Sequence, residues 1–253
     1  MKKTMTGKLS HKMILSAGMP RAGSAWLYHL TRDLWIGAGG DDIRELSDKY
    51  PLETVITEKN QNIDNFTLRK TLLILLPFLM GKSFTLKIHF APMPLGRLLL
   101  RMNWIRPTYI YRDPRDALLS AYEYGRRVEK TGRVNAFSHL DTIEKAVDFM
   151  TKYMKDWTTW MHLAQPAIFR YEDLLTDYDT QADRLVALLG LDHEHSKICA
   201  AVMKNRPRDA AKKEGGHYNK GRIGRFRNAL SEDQIALCNA RFSPFLEKMG
   251  YEI

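Results

Sequence analysis

The sequence predicts an α/β protein in which helices cover both faces of a central parallel sheet, a single doubly wound domain. Short apolar runs alternate along the chain with longer segments of helical periodicity, as in repeated strand–helix units. Two of these runs end in turn-forming residues that are followed at once by a helix start. At 253 residues, 44% of them hydrophobic, the chain is long enough for one such domain with a substantial core.

The predicted elements follow in chain order. Strands are predicted over residues 12–17, 84–89, 107–111 and 167–171, with a weaker one near 54–57. Helices are predicted over residues 24–35, 64–80, 115–129, 141–163, 178–189, 194–204 and 231–244. We therefore expect one domain over 1–253, with a core at about 12–230 and a C-terminal helix at about 231–244. In such a sheet ligands bind at the carboxyl ends of the strands.

The first strand runs into a loop of small residues that favours anion binding. The apolar residues 13–17 lead into Gly18-Met19-Pro20-Arg21-Ala22-Gly23-Ser24, and helix-compatible residues follow. A helix start presents free backbone N–H groups and the positive end of the helix dipole. The loop is not a Walker loop, since Gly-x4-Gly-Lys-[Ser/Thr] is absent. By itself such a turn is as typical of a simple connection as of a ligand site.

Two further strands carry polar groups at their ends. In residues 84–90, Lys87 and His89 fall on the same face of the strand because side chains alternate. The strand over 107–111 ends at Arg112, and Asp113-Pro114 then opens a helix as its N-cap and first residue. With Arg21 and with Tyr171 of the last strand, these residues lie at or just beyond four predicted strand ends.

In this order the segments resemble the sulfotransferases that use 3′-phosphoadenosine-5′-phosphosulfate (PAPS). The match extends from about residue 12 to residue 230. Its most specific part is the Arg-x7-Ser spacing of Arg112 and Ser120 in an Asp-Pro-Arg-Asp context, followed by the Pro-Arg-x-Gly loop before Trp26. The basic, glycine-containing segment 219–226 corresponds to a late loop of the family. The resemblance implies the P-loop-NTPase-like sulfotransferase fold.

The resemblance also implies roles for individual residues. His89 is the expected general base, Arg21 the group that stabilises the leaving phosphate, and Lys87 a support for the transferring sulfuryl group. The expected donor-binding residues follow from the family loops and are Arg21, Ala22, Gly23, Ser24, Ala25, Trp26, Arg112, Ser120, Tyr171, Met203, Asn219, Lys220, Gly221 and Arg222.

The chain departs from the family pattern at four of the matched positions. Arg21 stands where most cytosolic members have Lys, which keeps the charge and adds a planar donor fork. Ala25 lacks a family hydroxyl, Ala200 replaces an aromatic residue, and Asn219 replaces an arginine that contacts the 3′-phosphate. Arg222 is the residue expected to compensate for the last of these.

The expected reaction is transfer of a sulfuryl group from PAPS to a hydroxyl or amine of a small-molecule acceptor, releasing 3′-phosphoadenosine-5′-phosphate (PAP) without a metal. A secondary metabolite is the first candidate acceptor, followed by a glycolipid or a sugar. The alternatives are a P-loop-type kinase or nucleotide hydrolase, and a basic nucleic-acid-binding protein without catalysis. The first alternative would need Gly-Lys-[Ser/Thr] and a strand-end Asp for magnesium, and the second a recognisable binding motif.

Charge and cysteine content agree with this interpretation but discriminate less well between the alternative functions. A net charge of +10 favours anionic ligands, and equally permits contact with nucleic acid or a membrane surface. We expect no nucleic-acid partner, since no helix-turn-helix or RNA-binding signature is evident. Two cysteines are too few for a metal site or a disulfide framework, which indicates a reducing compartment. The basic N-terminal residues are not followed by the apolar segment of a signal peptide, so we expect the protein in the cytoplasm. The oligomeric state is left open.

One apolar run, Leu72 to Met80, stands out from the rest of the chain. It is too short to span a bilayer and contains Pro77, so a buried helix end is the first interpretation. Peripheral contact with a membrane surface and a wall of the acceptor pocket are the alternatives.

Overall fold

A computed structural model describes residues 11–57, 62–165, 167–207 and 222–253. Its sheet contains five parallel strands in the order β2-β3-β1-β4-β5, which confirms the predicted fold class. The strands are β1 (Met13–Gly18), β2 (Asn62–Ile63), β3 (Thr85–Ile88), β4 (Ile105–Tyr111) and β5 (Ile168–Arg170).

Eleven helices are present in these described ranges. They are α1 (Ser24–Gly37), α2 (Ile43–Ser47), α3 (Leu68–Leu79), α4 (Pro94–Arg101), α5 (Pro114–Glu129), α6 (Ile143–Leu163), α7 (Tyr171–Thr176), α8 (Tyr178–Leu189), α9 (Ser196–Lys204), α10 (Phe226–Ala229) and α11 (Glu232–Leu246).

Two hydrophobic clusters, one on each face of the sheet, form the core. Along β1 the side chains alternate, so Met13, Leu15 and Ala17 enter one cluster and Ile14 enters the other. The first cluster is closed by α3 to α6 and α11, and the second by α1, α8 and α9. Because both faces are covered, the strands read as continuous apolar runs, and the polar ends of the strands meet at one edge. We call it the carboxyl edge.

The predicted strand near 54–57 is wrong. Ile56 makes a single antiparallel bridge to Ile63, and the edge strand β2 lies at 62–63 instead. The helix predicted from residue 64 begins at Leu68, because Thr67 caps it by accepting from the Lys70 N–H. The strand predicted over 167–171 ends at Arg170, and Tyr171 opens α7.

Four short helices, α2, α4, α7 and α10, were not predicted. Each is eight residues or shorter, so it gives too few turns for a clear period. In α4, Pro94 occupies the first helical position, where its missing N–H costs nothing. No helix in the described ranges is long and apolar enough to cross a membrane.

Candidate functional site

The loop between β1 and α1 has a backbone that only small residues allow at two positions. A Cβ on Gly18 would lie 2.7 Å from a methyl carbon of Ile110, and one on Gly23 would lie 2.7 Å from the Tyr171 ring. Gly23 also has a φ of 80°. It precedes α1 without a side-chain cap, so the first N–H groups of that helix remain available to an anion.

Arg21, in the same loop, is held in a strained conformation with φ at 63°. Its Nε donates to Ser120 Oγ at 3.3 Å, and its guanidinium lies 4.5 Å from the centre of the Tyr124 ring. Burial, opposed by Tyr124 and reinforced by Arg127 and Arg112, lowers the pKa of Arg21 to about 10. The side chain is therefore still a cation at neutral pH, fixed against α5.

Lys87 and His89 lie together beside this loop, as their shared strand face predicts. Lys87 Nζ is 3.3 Å from His89 Nε2, and His89 Nδ1 is 2.7 Å from the backbone oxygen of Gly18. A carbonyl oxygen only accepts, so Nδ1 carries the ring proton, and the lone pair of Nε2 in the neutral ring accepts from the Lys87 ammonium. The β1 loop thus sets the tautomer of His89.

Both groups titrate below their ordinary ranges. Burial, and then the nearby charge of Arg21, lowers the pKa of Lys87 to about 8. Burial also lowers the pKa of His89 to about 3, with Lys87 and Arg21 adding to the effect and the Gly18 carbonyl opposing it. His89 is consequently a neutral base at physiological pH, next to two cations that an anionic ligand would neutralise.

Arg112 occupies the end of β4, stacked on Tyr171 with its guanidinium 4.4 Å from the ring centre. It donates to Asp116 Oδ2 at 3.1 Å and to the backbone oxygen of Arg222 at 2.9 Å. The Nε of this buried side chain has no hydrogen-bond partner within the described ranges. A buried N–H of this kind calls for an acceptor, and a phosphate oxygen would satisfy it.

Asp116 is a residue of the candidate site that the sequence analysis missed. Its fully buried carboxylate accepts from the backbone N–H groups of Gly224 and Phe226, at 2.8 Å and 3.0 Å, as well as from Arg112. It therefore fixes the end of the late basic loop to the first turn of α5. The available signal was its place in the first turn of the helix that begins at Pro114, directly after Arg112 at the end of β4.

The predicted adenine-side residues are only partly brought together. Trp26 is buried, stacks on Tyr178 with ring centres 5.8 Å apart, and meets Tyr171 edge-on at 6.3 Å. Its Nε1 donates to the backbone oxygen of Asn205 at 2.8 Å. Met203 is half exposed on α9 and lines an open cleft between α8 and α9. Neither Tyr178 nor Asn205 was predicted.

The remaining predicted residues divide between the loop and residues outside the described ranges. Ala22 and Ser24 are buried and Ala25 is partly buried, so their side chains serve packing and the loop offers mainly its backbone. Asn219, Lys220 and Gly221 lie outside the described residues. Among the described residues no group of three or more His, Cys, Asp or Glu side chains is placed to hold a metal ion.

Comparison with known proteins gives one family and several similar folds. The family model described as "Sulfotransferase domain" matches residues 11–250. No curated protein is significantly similar to the chain.

Three crystal structures illustrate the similarity in fold. One is retinol dehydratase in complex with androsterone and the inactive cofactor PAP, at 15% identity and a TM-score of 0.61, covering 94% of this chain and 81% of that one. A second is retinol dehydratase in a complex with retinol and PAP, at 16% identity and a TM-score of 0.59, covering 94% of this chain and 82% of that one. The third is a mouse sulfotransferase complexed with PAP, at 12% identity and a TM-score of 0.60, covering 94% of this chain and 85% of that one.

Proposed function

We propose a function for this chain on the basis of its family, since it belongs to the sulfotransferase domain family. The proposed function is transfer of a sulfuryl group from PAPS to a hydroxyl or amine of a small molecule. One observation carries the proposal. At the carboxyl edge the structure groups Arg21 and Lys87 around the neutral His89, with Arg112 at the neighbouring strand end. This arrangement offers cations to an anionic donor and a base to an acceptor.

The residues present fit a donor that carries a 3′-phosphate and a 5′-phosphosulfate. At the end of β4 the Nε–H of Arg112 has no acceptor in the part of the chain that the structure describes, and the backbone oxygen of Arg222 accepts from the same side chain. The uncapped start of α1, with the loop backbone from Arg21 to Trp26, suits the 5′-phosphate. Ser120 extends this set by fixing Arg21.

The proposed chemistry assigns one proton and one leaving group. His89 Nε2 takes the proton of the acceptor hydroxyl as its oxygen forms the new bond to sulfur. The bond between sulfur and the bridging oxygen breaks, and the electron pair stays on the phosphate. Arg21 stabilises the negative charge that develops there, because its guanidinium is buried and already fixed by Ser120 and Tyr124. Lys87, whose Nζ contacts His89, neutralises charge on the transferring sulfuryl group.

The proposal extends to the acceptor and the setting of the enzyme. A small hydroxylated secondary metabolite is the first acceptor class to test, and a glycolipid or sugar the second. The whole chain, residues 1–253, is proposed to act as one sulfotransferase domain in the cytoplasm. Two unpaired thiols, the exposed Cys199 and the buried Cys238, fit a reducing compartment.

Calorimetry separates this function from its rivals. Titration with PAP, ATP and a single-stranded oligonucleotide should give tight binding to PAP only. Incubation with radiolabelled PAPS and a panel of alcohols and amines should then transfer the label to one acceptor class. Preference for ATP would favour the kinase or hydrolase, and preference for the oligonucleotide would favour a nucleic-acid-binding protein.

A further inference from the structure

Helix α3 presents an apolar face to the surroundings. Leu68, Leu72, Leu76, Leu79 and Met80 are between 46% and 67% exposed. At 100° per residue they fall within a third of the helix circumference, opposite the buried Ile74 and Phe78. The apolar run Leu72 to Met80, which the sequence suggested as a buried helix end, is therefore only partly buried. Its exposed residues form one continuous apolar face, which is more than the single exposed apolar residues common on protein surfaces.

Helix α4 packs beside α3 and continues this surface. Its buried side is formed by Gly96 and Leu99, and its outer side carries Leu98 and Met102, which are exposed at 49% and 44%. Arg97 and Arg101 lie on the same outer side. Both helices cover the same face of the sheet, so their outer sides together make one surface, which we call the α3–α4 surface.

The charged residues of this region are all positive. From Asn65 to Arg112 the sequence contains no Asp or Glu, although it has eight lysines and arginines. Lys70 pairs with Asp64, and Lys82 with Asp41. No ion pair involves Arg69, Arg97 or Arg101 within the described part of the chain, and all three are exposed. The leucines lie at the centre of this surface, and the arginines around them form no ion pair with any described residue. Such a surface suits a partner that has an apolar interior and a negatively charged exterior.

We propose that the α3–α4 surface docks on lipid bilayers that contain anionic headgroups. The leucines and methionines enter the boundary between headgroups and acyl chains, and the three arginines contact lipid phosphates. The charge distribution disfavours a second copy of the chain as the occupant. Two such surfaces facing each other would bring together six arginines without one acidic residue of either surface to pair them. The proposal does not depend on the chemistry at the carboxyl edge.

Vesicle co-sedimentation tests the proposal with the full chain. The probes are phosphatidylcholine vesicles with and without phosphatidylglycerol. We expect binding to the anionic vesicles only, weakened at about 0.5 M salt because screening shortens the range of the attraction. Equal binding to both vesicle types, or none to either, would overturn the proposal.

Two paired variants localise the contact. L72E/L76E removes the apolar centre, and R97E/R101E reverses the flanking charge; each should lower the vesicle partition coefficient at least about tenfold. K152E/K155E makes the same charge change at exposed lysines of α6 and should retain most of the binding. Losses of equal size in all three variants would show a mere effect of net charge and contradict the assignment to this surface.

Two further measurements keep these results interpretable. Unfolding transitions and PAP affinity of the three variants check that the fold is intact, since all six substituted side chains are exposed and none is assigned to the donor site. Light scattering without vesicles reports the oligomeric state. A dimer that L72E/L76E dissociates, together with no binding to anionic vesicles, would assign the surface to self-association instead.

Discussion

Replacing Arg112 by alanine tests the assignment of the 3′-phosphate site. Arg112 is buried, it donates to Asp116 and to the Arg222 carbonyl, and its Nε–H has no acceptor among the described residues. A charge-assisted hydrogen bond from a buried guanidinium is worth about 1.5–3 kcal/mol. At about 1.4 kcal/mol for each factor of ten, Arg112→Ala should weaken PAP binding about 10- to 150-fold.

The comparison of two ligands makes this loss specific. Adenosine 5′-phosphate lacks the 3′-phosphate, so its affinity should change much less, and the ratio of the two affinities cancels a general loss of stability. Asp116 keeps its two backbone donors in the variant, which limits the disturbance. Arg106→Ala, at the opposite end of β4, is the matched control and should leave the ratio unchanged. Calorimetry showing equal losses for both ligands would refute the assignment of Arg112.

Other predictions concern the remaining groups of the site. His89→Asn should lower kcat by roughly 10²–10⁴ while PAP affinity in calorimetry stays near normal; near-normal turnover would remove His89 from the mechanism. Since the pKa of His89 is lowered to about 3, its base form persists on acidification, and kcat/KM should show no acid limb near 6.5; a limb at that pH would contradict the described environment. Arg21→Met should lose more in kcat than in donor KM, and Arg21→Lys should keep substantial activity; a loss confined to KM would make Arg21 only an anchor. Gly23→Ala should abolish tight PAP binding, because the methyl group would meet the Tyr171 ring and φ is positive; full affinity would show that the loop relaxes.

The sequence predicted the sheet well because burial on both faces leaves a strong signal. The strands β1, β3, β4 and β5 are apolar runs, and their carboxyl ends share an edge for topological reasons alone. That rule also predicted that Arg21, His89 and Arg112 would lie near one another. The contact of Lys87 with His89 followed from strand alternation.

Other parts of the structure depend on contacts between distant residues, which periodicity does not report. β2 exists because Asn62 and Ile63 pair with β3, whereas residues 54–57, similar in pattern, make only the single bridge from Ile56 to Ile63. Asp116 gains its role from the Gly224 and Phe226 N–H groups, more than a hundred residues away. The exposure of the α3 leucines likewise depends on which helix face the sheet covers, not on the composition of the run.

The crowding of Arg21, Lys87 and His89 has a consequence for proton counting. Near pH 8 the amine of Lys87 is only about half protonated, since its pKa has fallen to that value. An anion placed beside it restores the charged form, so the complex takes up a fraction of a proton from the buffer. The heat of PAP binding should then differ between two buffers of unequal ionisation enthalpy at pH 8, and converge toward pH 6. Such a difference would show that ligand binding is coupled to proton uptake at Lys87.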